Sequence, residues 1–266
     1  MTSEAVTSEP VGQGLVGREQ VTSEPAGPVV VPAGRVTLIR HGETEWSRTG
    51  RHTGHTDVPL TAEGERQAAA LRAALVGRRF VLVATSPRRR AAHTAEIAGL
   101  CPPAGEPGTI KPGTIRTQAA GTPAALSDTA GAQAAAPGAE DCVVWPELAE
   151  WDYGDYEGVT TARIREDHPG WTVFTGDVPG GETADEVGRR ADLVLGRVVP
   201  LLAHGDVALL GHGHMLRVLV ARWLGLPPTA GAHFVIEPAG VSELGFEHEN
   251  RVLRQLNARP APPTRY

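Results

Sequence analysis

The sequence predicts an α/β fold, a three-layer sandwich in which helices cover a mainly parallel sheet. Three observations point there. Short apolar runs rich in β-branched residues have the length of buried strands, and helical patterns with three-to-four spacing separate them. The 266 residues, 41% hydrophobic, supply one core of ordinary domain size.

In chain order, the first thirty residues repeat Thr2-Ser3-Glu4, Thr7-Ser8-Glu9-Pro10 and Thr22-Ser23-Glu24-Pro25. They hold too few large apolar side chains to offset the entropy of ordering, so residues 1–34 read as a disordered tail. Val36 to Ile39 is the first strand. A helix is expected from Ala62 to Val76, where Ala68 to Ala74 is simply a helix face. Val81 to Ala84 is the second strand, followed by a helix from Arg88 to Ala98. From about 102 to 140 the chain turns to Pro, Gly, Ala and Thr. A structureless stretch of that length is unusual inside a compact domain, and it reads as an insertion between two core elements.

Thr183-Ala-Asp-Glu186 has capping-box spacing, and Val187, Ala191, Val194, Val198 and Leu201 follow on one helical face, with Pro200 bending or ending the helix. Val207 to Leu210 is the third strand. Met215 to Leu224 is a helix stopped by Gly225 and Pro227-Pro228, and Gly240 to Phe246 is the fourth strand. The domain is expected to span 35–258, with a disordered C-terminal tail over 259–266.

Composition narrows the function. A formal charge of -6 opposes a nucleic-acid partner, whose backbone calls for a basic face. No run approaches the roughly 20 apolar residues of a membrane span, and MTSEAVTSEP lacks the pattern of a secretory signal. No membrane partner and a cytoplasmic location are therefore expected. Cys101 and Cys142 lie far apart in dissimilar contexts, outside any CxxC pair, and are expected to be structurally incidental.

Ligands of such sheets bind beyond the carboxyl ends of the strands. After the first strand come Arg40-His41-Gly42-Glu43-Thr44, and after the third, Gly211-His212-Gly213-His214. Each places a histidine beside a glycine that lets the backbone turn tightly and a substrate approach closely. After the second strand, Thr85-Ser86-Pro87-Arg88-Arg89-Arg90-Ala91 puts guanidinium groups at a helix start. Histidines and arginines converging on one sheet edge suit a phosphate. A neutral imidazole attacks phosphorus once cations neutralise the phosphoryl oxygens, and arginine grips two oxygens at a time. The departing alkoxide needs a proton, for which Leu148-Ala-Glu150-Trp-Asp-Tyr153-Gly-Asp-Tyr-Glu157-Gly158 offers several carboxyl groups. In that segment Asp152, Asp155 and Glu157 can equally be solvated loop charges, and His212 a hydrogen-bonded core histidine. The pair His212-x-His214 invites a metal, but no carboxylate or cysteine set at ligand spacing accompanies it, so neither metal nor cofactor is expected.

Arg40-His41-Gly42, Ser86-Pro87-x-x-Arg90-Ala91-x-x-Thr94, the Glu150 segment and Gly211-His212-Gly213 resemble, in order, the signature blocks of the histidine phosphatase superfamily, which includes the cofactor-dependent phosphoglycerate mutases. The resemblance covers roughly Val36 to Asn250 apart from the insertion. It implies a phosphoglycerate mutase-like fold, His41 as phosphorylated nucleophile, Arg40, Arg90 and His212 as phosphate pocket, and Glu150 as proton donor. Thr44-Glu-Trp-Ser47-x-x-Gly-x-x-Thr53-Gly54-x-Thr56-Asp57, Trp151-Asp-Tyr153-Gly-Asp-Tyr-Glu-Gly158 and Gly213-His214-Met-Leu-Arg217 look like the sedoheptulose-1,7-bisphosphatase branch. That finer likeness implies a sugar bisphosphate as the small-molecule partner, with Ser47, Thr53, Gly54, Arg88, Tyr153, Gly213 and His214 in contact with it and Arg88 on a second phosphate. Two alternatives stay open. A phosphoglycerate mutase typically has a long basic segment, for which the short stretch from Gly158 to Pro179 leaves little room. An inactive phospholigand-binding module would lack His41 or an arginine partner. The sequence leaves the oligomeric state and the exact substrate undetermined: sugar bisphosphates, phosphoglycerates, a nucleotide-loop phosphate such as α-ribazole phosphate and broad acid-phosphatase activity all stay open.

Overall fold

The computed structural model describes residues 31–102 and 142–259, so the tails expected over 1–34 and 259–266 and the insertion at 102–140 fall almost wholly outside the described residues. Six strands, β1 (Val36–Arg40), β2 (Phe80–Thr85), β3 (Cys142–Val144), β4 (Asp206–Gly211), β5 (Val241–Glu247) and β6 (Asn250–Ala258), form one sheet in the order β3-β2-β4-β1-β5-β6. β3, β2, β4 and β1 run parallel, while β5 is antiparallel to β1 and β6. The parallel part follows from strands separated by helices, whose crossovers return the chain to the same end. β5 and β6 are joined only by His248 and Glu249, a connection so short that it forces an antiparallel hairpin.

Alternation along the strands divides the core into two layers. Val36, Leu38, Val207 and Leu209 pack on one face with Val187, Ala191, Val194 and Val198 of α5 (Ala184–Val198) and Leu216, Leu219 and Trp223 of α6 (Gly213–Trp223). Ile39, Ala208 and Leu210 pack on the other with Leu71 of α2 (Ala62–Ala74) and Ala95 of α3 (Arg89–Ile97). The three-layer sandwich expected from the sequence is the observed fold. Thr183 caps α5 through its capping box with Glu186, and Pro200 lies in the 3-10 turn Val199–Ala203 that follows the helix. The short helices α1 (Glu45–Thr49) and α4 (Thr161–Asp167) were not expected. β3 and β6 were missed as well. β3 is three residues long, and β6 carries Arg251, Arg254, Gln255 and Asn257 along a sheet edge, so neither shows an apolar run.

The cysteines correct the sequence reading. Cys101 and Cys142 form a disulfide with a Cα separation of 5.5 Å, across 41 positions of sequence. Cys101 lies just beyond α3 and Cys142 opens β3, which pairs with β2 in the register Val83↔Cys142. The fold brings together two residues whose sequence contexts gave no sign of proximity. Among the described residues, no helix is long and apolar enough to cross a membrane.

Candidate active site

Because β1 and β4 are parallel neighbours with Arg40 opposite Gly211, their carboxyl ends deliver His41 and His212 side by side. The two rings lie 5.1 Å apart, and the His41 amide donates to Gly211 O at 3.1 Å. Glycine is required at Gly42, where a Cβ would sit 2.4 Å from the carbonyl oxygen of Gly64.

Hydrogen bonds fix both imidazoles. Nδ1 of His41 is 2.7 Å from the Gly42 carbonyl, which can only accept, so Nδ1 carries the proton and Nε2 the lone pair. Burial, then Arg90 and Arg40, hold the His41 pKa well below its ordinary value, and the ring stays neutral. Nδ1 of His212 accepts from Nε of Arg90 at 3.2 Å, which leaves its proton on Nε2, 2.6 Å from Ser86 Oγ. Burial and then Arg90 lower the His212 pKa in the same way. Arg90 also donates from Nη1 to Thr56 O at 3.0 Å and from Nη2 to Thr53 O at 2.9 Å. Arg40 donates from Nη1 to Ile236 O at 2.7 Å, while its Nε is buried without a partner. Burial lowers the pKa of both arginines, against the opposing charge of Glu150.

Glu150 is buried at the start of α6. Its Oε1 accepts from the amides of Trp151 and Met215, both at 2.9 Å, and its Oε2 from the amide of His214 at 3.1 Å. Amides of a first helical turn have no partner within the helix, which makes them natural donors to a carboxylate. The turn leading to Glu150 is tied down by Arg190, which donates to Glu147 O and Ala149 O at 2.8 and 2.9 Å and pairs with Glu182. Beside Glu150, the Tyr153 hydroxyl is 2.6 Å from Nδ1 of His214. Burial raises the pKa of Tyr153 and lowers that of His214, so this pair is neutral.

The other expected contacts divide. Gly213 packs against Arg40, whose Cζ would lie 3.3 Å from a Cβ at that position. Thr53 meets Arg90 through its backbone, and the Gly54 amide donates to Oε2 of Glu157 at 2.8 Å. Arg88 sits 2.8 Å from Nδ1 of His55, which in turn pairs with Asp152, and Nε of Arg88 is buried and unpartnered. Ser47 is placed differently. Its hydroxyl accepts from Thr44 N and donates to Thr44 O in the cap of α1, and it lines a groove with Ala69, Ala70 and Ala73 that contains none of His41, Arg90, Glu150 or His212.

Sequence reasoning gave no role to Ser86, which bonds His212, or to Thr94, whose Oγ1 accepts the Gly42 amide at 3.0 Å. Both stand in quoted motifs, and that was the available signal. It also missed His52, packed 4.6 Å from the Tyr153 ring and lowered by burial to a pKa of about 4, because a histidine in a polar loop carries no pattern.

The model of the histidine phosphatase superfamily (branch 1) matches residues 36–106 and 125–259. The chain belongs to this superfamily. An acid phosphatase of Mycobacterium tuberculosis is 36% identical over 231 residues, 86% of this chain and 94% of that protein. A sedoheptulose 1,7-bisphosphatase of Saccharomyces cerevisiae is 31% identical over 215 residues, 72% of this chain and 68% of that protein. The solved structure of the product of a Mycobacterium tuberculosis open reading frame superposes with a TM-score of 0.67 at 34% identity, covering 86% of this chain and all of that one (100%). This histidine phosphatase is thus an enzyme that hydrolyses phosphate monoesters. Among its described residues, no three His, Cys, Asp or Glu side chains are grouped to hold a metal ion.

Proposed function

We propose that the phosphatase works through a phosphohistidine on His41 and that its substrate is a small sugar bisphosphate. The observation that carries the first part is the neutral His41 ring, whose Nε2 lone pair is left free by the bond from Nδ1 to Gly42, beside two buried guanidinium groups. Nε2 attacks phosphorus and the ester P–O bond breaks, while Arg40, Arg90 and His212 hold the phosphoryl oxygens. The unpartnered Nε of Arg40 is a donor that such an oxygen would satisfy. Glu150 protonates the departing oxygen. It then takes a proton from water as that water attacks phosphorus, the N–P bond breaks and inorganic phosphate leaves. Oε2, which accepts one amide where Oε1 accepts two, is the oxygen with room for the proton. Arg88, with its own buried unpartnered Nε, supports a second phosphate on the substrate, as does the likeness to the yeast bisphosphatase.

The test is phosphate release from a panel of phosphorylated metabolites with EDTA present, comparing wild type with His41→Ala. Wild type should prefer a sugar bisphosphate such as sedoheptulose 1,7-bisphosphate. The variant should lose turnover, by at least about 1,000-fold, while keeping its melting temperature within a few degrees. Retained turnover in His41→Ala would sink the mechanism. Equal rates on monophosphates would remove the bisphosphate reading, and interconversion of 3- and 2-phosphoglycerate without hydrolysis would mark a mutase.

A further inference from the structure

We propose that Glu157 is a positioning residue for phosphate binding, a strut that holds the loop 53–56 so that its carbonyls aim Arg90 into the pocket. The inference rests on the phosphatase reading above. Arg90 spends its donors on three acceptors. Nε goes to His212, and Nη1 and Nη2 go to the backbone oxygens of Thr56 and Thr53. A guanidinium held at three points presents a fixed face to an anion, but only if the carbonyls that hold it are themselves fixed.

Residues 53–56 belong to no helix or strand that would fix them. Glu157 supplies the constraint. Its Oε2 accepts from the Gly54 amide at 2.8 Å and its Oε1 from the Thr56 amide at 2.9 Å, so the carboxylate grips the loop at two amides while the carbonyls of Thr53 and Thr56 face Arg90. The loop is thereby clamped between a carboxylate and a guanidinium. Gly54 permits the close approach, since a Cβ there would lie 2.6 Å from Trp151 O and 3.0 Å from Glu157 Oε2.

The foot of the strut is also anchored. Gly158 N donates to His52 O at 2.8 Å and His52 N to Val159 O at 3.0 Å, which ties the Glu157 segment to the chain just before the loop. That segment begins at Glu150, so one stretch carries the proposed acid and also sets the arginine on the far side of the phosphate. A solvated surface carboxylate would spend its acceptors on water, whereas both oxygens of this one are engaged with two amides of a single loop.

Glu157→Gln tests this. The amide keeps one acceptor oxygen but sets an NH2 group against a backbone amide, so one of the two bonds is lost. Arg90 contacts the phosphoryl group in both the ground state and the transition state, so the loss should appear as weaker binding. Expected are a rise of about tenfold in KM and in the inhibition constant of inorganic phosphate, with kcat within about threefold. A merely structural role would instead reduce the active fraction, lowering apparent kcat at unchanged KM and inhibition constant.

Glu157→Asp, which keeps the charge on a shorter arm, should fall between wild type and Glu157→Gln, and it serves as the test variant if the glutamine form does not fold. In an Arg90→Lys background Glu157→Gln should add no further loss of phosphate affinity, because the residue it positions has already gone. Wild-type affinity in both Glu157 variants, or losses that add fully to that of Arg90→Lys, would overturn the proposal. Should wild type release no phosphate from any substrate, the phosphatase reading fails, and calorimetric titration of inorganic phosphate into wild type and Glu157→Gln still decides whether Glu157 sets the anion site.

Discussion

At the scale of single residues, the pocket keeps its histidines neutral first by burying them and then by setting permanent positive charge beside them. An imidazole in water at pH 5.5 is about 90% protonated and unable to attack. His41 is buried against Arg90 and Arg40, and both effects disfavour a second proton, so it enters acid solution still carrying its lone pair. The sign follows directly. As the proposed nucleophile, His41 is active above its own pKa, and that pKa lies well below 6.5. Between pH 7 and 5.5, kcat/KM should therefore fall less than about threefold once the substrate's own second ionisation is allowed for, where a nucleophile titrating at the ordinary value would lose about tenfold. A pH–rate profile with a full tenfold drop centred near 6.5 would show that burial and the arginines do not act on His41 as described.

At the scale of elements, strand tips were legible because the histidines of the candidate site directly follow apolar runs. Arg40-His41-Gly42 and Gly211-His212-Gly213 could be assigned to a sheet edge from the sequence alone, since β1 and β4 are almost wholly buried and read as short, largely apolar runs. The capping box of α5 was legible for a similar reason, as a local pattern with a local cause. What escaped was whatever depends on long-range placement. His52 meets Tyr153 across about a hundred positions, and β6 is an edge strand with polar side chains. Ser47 stood in the expected motif, yet its hydroxyl is used by its own helix cap.

The disulfide belongs to this scale too, since it ties the end of α3, the helix that carries Arg90, to the start of the strand leading toward Glu150. On a chain-entropy model, closing a loop of 41 positions is worth about 4 kcal/mol. Reduction should therefore lower the melting temperature by roughly 10 °C, measured with and without dithiothreitol. An unchanged melting temperature would mean that the reduced chain is held equally well by packing alone.

At the scale of the whole molecule, the proposed machinery is shared between two lengths of chain. His41, Arg40 and Arg90 come from residues 31–102, and Glu150 and His212 from residues 142–259. Between them β2 pairs with β3 and β4, and β1 with β4 and β5, so the two lengths interleave in one sheet. Neither length contains the whole of the proposed phosphate pocket, which explains why the motifs had to be read together across the intervening segment.

The bond between Cys101 and Cys142 gives this division a practical meaning. A protease that cuts anywhere between the two cysteines produces two fragments, each holding part of the pocket, yet still joined by one covalent link. Such a nicked enzyme should migrate as one species on a non-reducing gel and as two on a reducing gel, with phosphate release retained while the bond is intact. Seen this way, a backbone break between the two cysteines would leave the phosphatase a single molecule until a reductant parts its halves.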